Sequence, residues 1–165
     1  MSDRALLDDL RVIIGRDLDG LQRELELYPD DASVWVLPEG VPNSAGTLAL
    51  HLVGNLRHFI GALLGGSGYV RDREAEFGDR DLPRSELITR IDAARTEVLG
   101  ALDRMSPDVL DDPFAMPNGA SAPFGRFLVH LAVHLGYHLG QVDYHRRMVT
   151  GEGASAQMLG LKALA

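Results

Sequence analysis

Apolar residues at intervals of three and four positions dominate the first 28 residues of the chain. This spacing places them on one face of an α-helix, as is typical of a helix that packs against a core. The apolar face is formed by Leu6, Leu7, Leu10, Ile13, Ile14, Leu18, Leu21 and Leu25. We expect the helix to end near Tyr28, because Pro29 cannot continue it.

Three further helices are predicted in segments that proline does not interrupt. The second starts at Asn43 or Ser44, both good N-cap residues, and stops at the glycines from Gly65 onward. The third is expected to take Ser85 as its N-cap. Its buried face is formed by Leu87, Ile88, Ile91, Val98, Leu99 and Leu102. The fourth helix spans about residues 123–150.

The segments outside the four helices also contain apolar residues that are expected to pack on the bundle. We expect Trp35, in the loop after the first helix, to fold back onto the bundle. After position 153 a short amphipathic segment is predicted to cap the bundle or to sit at a dimer contact. Its apolar residues are Met158, Leu159, Leu161 and Leu164. No alternating strand pattern or hairpin turn is evident. Residues 1–165 are therefore expected to form a single all-α domain, a four-helix bundle with a long crossover connection and a short extra C-terminal helix.

Composition excludes several classes of function. The net charge is -8, from 16 basic and 24 acidic residues, so the chain lacks the basic excess with which proteins bind nucleic acid or anionic membranes. No apolar run approaches the ~20 residues of a membrane-spanning helix. The N-terminal residues carry acids where a secretory signal would carry bases, so a cytoplasmic location is expected. With no cysteine, the chain offers neither a thiolate ligand nor a cysteine nucleophile.

Six histidines are the clearest candidates for chemistry, and all of them lie on two predicted helices. His51 and His58 are on the second helix. The fourth helix carries His130, His134, His138 and His145. Because steps of four and seven residues return to nearly the same side of a helix, each set shares a face.

The fourth helix is apolar on all sides where its histidines lie, which predicts that it is buried. Buried imidazoles need partners, because an unpaired buried polar group costs about 1–3 kcal/mol. A metal ion satisfies several at once, and two histidines at i and i+4 can both reach it. The spacing leaves open whether this pair is His130/His134 or His134/His138. His145 adjoins two arginines and is expected to be solvated, whereas His58 suits the surface or the core equally.

Three motifs together resemble the DinB-like superfamily of metal-binding four-helix-bundle proteins, which includes thiol-dependent transferases. One is the histidine early in the second helix, in TLALHLVGNLRHFI at positions 47–60. Another is YHLGQV at positions 137–142. The last is RDREAEF at positions 71–77, which resembles one branch of the superfamily. Together the motifs extend the resemblance over most of the chain.

The resemblance implies a ligand set. Carried over by position, the three metal ligands fall on His51, His134 and His138, and Gln141 matches the glutamine that follows the last ligand. His130 then lies one turn before the ligand pair, and we expect it to support the ligands in preference to a purely core position. The resemblance also implies a bundle with a long crossover, and a homodimer.

Residues near these ligands have both structural and functional interpretations. Charged runs are usually solvated, which is the favoured interpretation of RDREAEF. Alternatively, Arg71 or Arg73 lines the mouth of the metal pocket and pairs with an anionic substrate. Asn55, one turn beyond the first ligand, either faces the same cavity or bonds a backbone carbonyl. Candidates for a general base, none of which we nominate, are Tyr137, Asp143 and Glu74.

Three neutral imidazoles suit one divalent transition metal, such as Zn, Ni or Fe, with a coordination position left open. There the metal can activate a water or a small external thiol. The leading hypothesis is a metal-dependent transferase that acts on a small molecule and uses a low-molecular-weight thiol as cosubstrate. A metal-dependent hydrolase and a non-enzymatic dimeric bundle that binds a metal or another ligand are the alternatives. Haem held by two histidines is less well supported, because it leaves the i, i+4 pair unexplained.

Overall fold

The computed structural model describes residues 3–116, 118–156 and 161–164. In these residues the chain forms five α-helices, short turns of other helix types and one small β-hairpin. The α-helices are α1 (Asp3–Glu26), α2 (Ala45–Leu56), α3 (Arg73–Gly78), α4 (Arg84–Arg104) and α5 (Phe124–Thr150). Helices α1, α2, α4 and α5 enclose a hydrophobic core, and the short α3 packs on α2. The predicted all-α bundle is confirmed.

Diagonal pairs of helices define the topology of the bundle. Helices α1 and α2 each pack against both α4 and α5, which places α1 opposite α2 and α4 opposite α5. The connections from α1 to α2 and from α4 to α5 therefore cross an end of the bundle, as expected. The second of these contains a turn of 3-10 helix, Pro107–Asp111, that packs on α1 and α5.

The buried face of α1 follows the predicted apolar pattern. Its buried apolar residues are Leu7, Leu10, Ile14, Leu18, Leu21 and Leu25. In the loop that follows, a turn of 3-10 helix at Ser33–Trp35 brings Trp35 back onto the bundle, as predicted. The indole N–H donates to the backbone oxygen of Leu82 at 2.9 Å. The ring fills space that Gly46 leaves free, because a side chain there would overlap it.

Helix α2 is buried along its whole length. Ser44 is its N-cap, and Ser44 Oγ accepts from the N–H of Thr47 at 3.1 Å, which decides between the two predicted caps. At Arg57–Ala62 the helix continues with π-type hydrogen bonds. Such local widening of a helix is frequent at functional sites.

The N-cap predicted for α4 is wrong. The helix begins at Arg84 with Pro83 as its N-cap residue, so Ser85 already lies inside the first turn. The Arg84 N–H donates to a carboxylate oxygen of Asp31 at 3.1 Å, in the loop after α1. A cap supplied by a distant loop leaves no local signal, so the sequence favours the nearest serine.

The connection between α4 and α5 also contains a short antiparallel hairpin that the sequence pattern does not predict. Strand β1 (Pro113–Ala115) pairs with β2 (Ser121–Pro123), with Phe114 opposite Ala122. Strands of three residues are too short to show an alternating pattern. The hairpin places its Phe114 ring against Phe127 of α5, where the two rings stack with 4.5 Å between their centres.

The C-terminal segment begins at Gly151, whose left-handed backbone ends α5. A turn of 3-10 helix at Leu161–Leu164 packs against α1 and forms the expected short C-terminal helix. Leu161 and Leu164 are exposed there. The other two apolar residues predicted for this segment, Met158 and Leu159, lie outside the described residues.

Helix α5 is not buried on all sides, contrary to the prediction. Its leucines meet the core, while five apolar residues on another side form an exposed stripe, which we call the α5 stripe. The α5 stripe consists of Val129, Val133, Tyr137, Tyr144 and Met148. Exposed apolar faces of this kind are typical of interaction surfaces. Even so, none of the helices in the described ranges is long and apolar enough to cross a membrane.

Candidate metal centre

Three imidazoles from α2 and α5 converge at one point. His51 lies in the middle of the buried α2, and His134 and His138 lie one turn apart on α5. His134 Nε2 is 3.3 Å from His51 Nε2 and 3.1 Å from His138 Nε2. Each of the three residues offers one ring nitrogen within 4.8 Å of the others, a group that could hold a metal ion.

Hydrogen bonds orient two of these rings. His51 Nδ1 lies 3.1 Å from Glu76 Oε2, and His138 Nδ1 lies 2.6 Å from Gln141 Oε1. Carboxylate and amide oxygens only accept, so each Nδ1 donates, and in the neutral ring each Nε2 has the lone pair. Both lone pairs are thus available on the atoms that face His134.

His134 completes the group without such a partner. Its Nδ1 is buried and has no hydrogen-bond partner among the described residues. Burial, together with the neighbouring imidazoles of His138, His51 and His130, lowers the pKa of His134 to about 4. Burial also lowers the pKa of His138. Both rings are neutral near pH 7, and the neutral form is the one that binds a metal.

The donor set fits a divalent transition metal. Zinc binds imidazole at about 2.0–2.1 Å, which holds adjacent ligand nitrogens about 2.8–3.4 Å apart in octahedral or tetrahedral geometry. The two Nε2 separations of 3.1 and 3.3 Å fall within this range. Haem on these histidines does not fit, because direct contact between His51 and His134 leaves no room for a porphyrin.

Glu76 is a polar residue of the site that the sequence does not single out. It lies on α3, is 5% exposed, and receives two bonds from Arg71, from Nε to Oε1 at 2.6 Å and from Nη2 to Oε2 at 2.8 Å. Burial raises the pKa of the Glu76 carboxyl, but the bonds from Arg71 and His51 outweigh it, and the pKa lies below its usual value. Glu76 is therefore ionised. The only signal for it is the charged run RDREAEF, whose favoured interpretation as a solvated surface is wrong at this residue.

An open pocket of about 940 Å³ adjoins the imidazoles, and His51 and His134 form part of its lining. A cluster of aromatic rings forms one wall, with Phe59 and Phe127 5.0 Å apart between ring centres and Phe114 stacked on Phe127. The volume lies within the range of small-molecule sites, about 300–1,000 Å³.

Four of the residues nominated from the sequence also line this pocket: Asn55, Arg71, Arg73 and His130. Asn55 is 8% exposed and lines the cavity, and its buried Oδ1 has no hydrogen-bond partner among the described residues. Gln141 lies outside the pocket and bonds His138. His58, which the sequence leaves undecided, is half-buried in the π-helical turn and lines the pocket too.

The prediction that His145 is solvated is wrong. The residue is 1% exposed, and its two ring nitrogens are both bonded. Nε2–H donates to the backbone oxygen of Val36 at 2.8 Å, so Nδ1 accepts from the hydroxyl of Tyr28 at 2.7 Å. Burial lowers the pKa of His145. The adjacent Arg146 suggests a solvent-exposed position for His145, but Arg146 is itself fully buried.

The three candidates for a general base lie outside the pocket, although the Tyr137 ring contacts that of His138, with 5.1 Å between ring centres. Tyr137 and Glu74 are exposed. Asp143 is buried and accepts from Arg146 at 3.2 Å and Arg147 at 2.9 Å. None of the three lines the pocket, whereas His130 does.

Comparison with known proteins gives one finding. The family model of the DinB superfamily matches residues 15–142, a range that includes all three converging histidines and α3. No curated protein and no solved structure shows significant similarity to the chain. The match covers well over half of the sequence, and the chain belongs to the DinB superfamily.

Proposed function

We propose that the protein is a metal-dependent transferase in which a small external thiol attacks an electrophilic small molecule bound in the pocket. The observation that carries the proposal is the position of His51 and His134, which belong both to the converging imidazoles and to the pocket wall. A metal held there would be accessible to molecules in the pocket. The protein would thus bring a nucleophile and an electrophile together at one site.

The thiol has to come from outside, because the chain has no cysteine. When bound, the metal would supply the positive charge that favours the thiolate form of this cosubstrate. In the proposed reaction the sulfur forms a bond to an electrophilic carbon, and the leaving group departs with the bonding electron pair. A reducing compartment such as the cytoplasm, the expected location, supplies free thiols.

The pocket walls indicate the kind of electrophile. The rings of Phe59, Phe114 and Phe127 offer an apolar surface that suits an aromatic or other flat apolar group. Arg71 and Arg73 line the same pocket. The charge of Arg71 is paired with Glu76, so Arg73 is the residue that offers positive charge to a substrate. We therefore propose a substrate that combines an apolar part with an anionic group.

A turnover assay tests this proposal. Zn²⁺-loaded protein is mixed with a panel of small thiols and a chlorodinitrobenzene as a generic aromatic electrophile, and thioether formation is followed by absorbance. We expect product that requires both thiol and metal, and that is lost after chelation and in His138→Gln. Failure of the metal-loaded protein to exceed the uncatalysed rate with every thiol would contradict the proposal.

Hydrolysis is the second candidate, and His130 favours it. This imidazole lines the pocket, with its ring centre 6.0 Å from that of His134, where it could serve as a base toward water. The same protein is assayed with nitrophenyl esters in the absence of thiol. Metal-dependent ester cleavage that is lost in His130→Gln, without thioether formation, would favour the hydrolase. Absence of both activities would favour a non-enzymatic metal-binding bundle.

A further inference from the structure

We propose that Glu76 is a positioning residue, which holds His51 in the orientation that points its Nε2 toward the two histidines of α5. The inference rests on the proposed metal site, because it treats His51 as a ligand. It also separates two acids that look alike in the sequence. Glu74 and Glu76 both lie on α3, but Glu74 is exposed and Glu76 is buried against α2.

The hydrogen bond from His51 to Glu76 fixes the orientation of the His51 ring. With the proton on Nδ1 and directed at the carboxylate, the ring cannot turn without losing a charge-assisted bond of 3.1 Å. A carboxylate partner also makes an imidazole a stronger donor to a metal. Both effects would favour binding through Nε2.

Arg71 keeps the carboxylate in place. Its Nε bonds Oε1 and its Nη2 bonds Oε2, so the guanidinium grips both oxygens of Glu76. Oε2 accepts from His51 as well. The carboxylate therefore cannot rotate away from His51 without also breaking its paired bonds to Arg71.

Gly54 makes the space for this arrangement. It lies on α2, three residues after His51, and a methyl group at this position would overlap the carboxylate of Glu76. The His51 imidazole is thus held by Glu76 of α3, whose carboxylate is fixed by Arg71 and fits only because Gly54 of α2 has no side chain. A surface ion pair would need none of this accommodation on α2.

The direct test compares Zn²⁺ affinity, measured by competition with a chelator, in wild type, Glu76→Gln and Glu74→Gln. Glutamine keeps the shape of Glu76 but carries no charge, and its NH₂ group replaces one of the two oxygens that accept from Arg71. Loss of such a partner typically weakens metal binding by about 10–100-fold. We expect a loss of this size in Glu76→Gln and a change below about twofold in the exposed control Glu74→Gln. Equal affinity in all three proteins would overturn the proposal.

A second variant removes the space and leaves every polar group in place. Gly54→Ala should displace the Glu76 carboxylate and weaken Zn²⁺ binding in the same direction as Glu76→Gln. Its control is Gly100→Ala on α4, where an added methyl would meet only the flexible end of the Arg104 side chain. Unchanged Zn²⁺ affinity in folded Gly54→Ala would show that the close contact is not needed, and would contradict the proposal.

NMR of the metal-free protein separates this inference from the proposed metal site. The Nδ1 proton of His51 should exchange slowly and resonate far downfield in wild type and Glu74→Gln, and should disappear or move upfield in Glu76→Gln. If wild type shows this proton but binds no Zn²⁺, the metal site fails while the orientation of His51 stands. If wild type binds Zn²⁺ and lacks this proton, the proposal for Glu76 fails alone.

Discussion

Arg146 is a fully buried cation near the end of α5. Its guanidinium donates to Glu24 of α1 at 2.5 Å and to Asp143 one turn earlier at 3.2 Å. It also donates to the backbone oxygens of Glu152 and Ala154, at 3.2 and 2.6 Å, in the segment after α5. One side chain thus joins α1, α5 and the C-terminal segment.

Removal of this cation is expected to destabilise the fold strongly. Arg146→Met would leave the buried carboxylate of Glu24 without its partner and Asp143 bonded to Arg147 alone. Breaking a buried ion pair from one side typically costs about 3–5 kcal/mol. Urea unfolding measures the change in the free energy of unfolding. The double variant Glu24→Gln/Arg146→Met should recover part of the loss. A cost below about 1 kcal/mol for Arg146→Met would show that the bonds contribute little.

His145 predicts a dependence of stability on pH. Burial places its pKa below the usual 6.5, so the unfolded chain takes up a proton before the folded one as the pH falls. This contribution to the free energy of unfolding is complete above pH 6.5 and is lost as the pH falls toward the folded pKa, by at most about 1.4 kcal/mol per pH unit.

The matched variant for this effect is His145→Gln, which can still accept from Tyr28 and donate to the Val36 oxygen but does not titrate. Unfolding experiments between pH 7.5 and 5 should show a shallower loss of stability in this variant than in wild type. Identical pH profiles would mean that His145 is protonated equally in the folded and unfolded protein.

The residues of the site differ in how far their sequence reveals them. His134 and His138 are recognisable because their contact is local, set by a spacing of four residues in one helix. Glu76 is not, because its neighbour His51 lies 25 positions away and is reached only through the packing of a six-residue helix on α2. His145 is misjudged because sequence adjacency to Arg146 suggests solvent, whereas both side chains find buried partners.

At the scale of elements, the long helices follow from the apolar pattern and their ends depend on other parts of the chain. Ser44 caps α2 from the adjacent position and is predictable. Asp31 accepts from the first N–H of α4 although it lies in a loop 53 residues earlier, so this cap is not predictable from the local sequence. The three-residue strands at Pro113–Ala115 and Ser121–Pro123 escape detection for lack of length.

The cap from Asp31 has a measurable consequence. Asp31→Ala should lower the free energy of unfolding, because the Arg84 N–H at the start of α4 loses its acceptor. Asp31→Asn keeps an acceptor oxygen and should lose less. The control is Asp9→Ala, an exposed position on α1. Urea unfolding provides the comparison, and equal stability of Asp31→Ala and Asp9→Ala would rule out a capping contribution.

The largest question about the molecule as a whole is what covers the α5 stripe, because its apolar side chains are exposed. Val129 and Met148 lie 19 residues apart, so the stripe runs for about 29 Å along one helix. Between Phe127 and Tyr144 the only Asp, Glu, Lys or Arg is the buried Asp143. Near the middle, Gly140 has open space where a side chain would be, so another backbone could approach closely.

We propose that a second copy of the chain covers the α5 stripe. Two antiparallel copies of one apolar helix face are self-complementary about a two-fold axis, which is the commonest symmetry of homodimers. Sedimentation equilibrium should show a dimer for wild type and a shift to monomer for Tyr144→Lys. Val12→Lys, at a partly exposed apolar position on α1, should remain dimeric. A monomeric wild type would contradict the proposal.

We propose that His51, His134 and His138 together bind one divalent metal ion. The most direct measurement is the Zn²⁺ content of purified chains after loading and removal of free metal, compared between wild type and single histidine variants. We predict about one ion per chain in wild type and in the control His58→Ala, and loss of the ion in His51→Ala and His138→Ala. Full Zn²⁺ content in His51→Ala would contradict this ligand set.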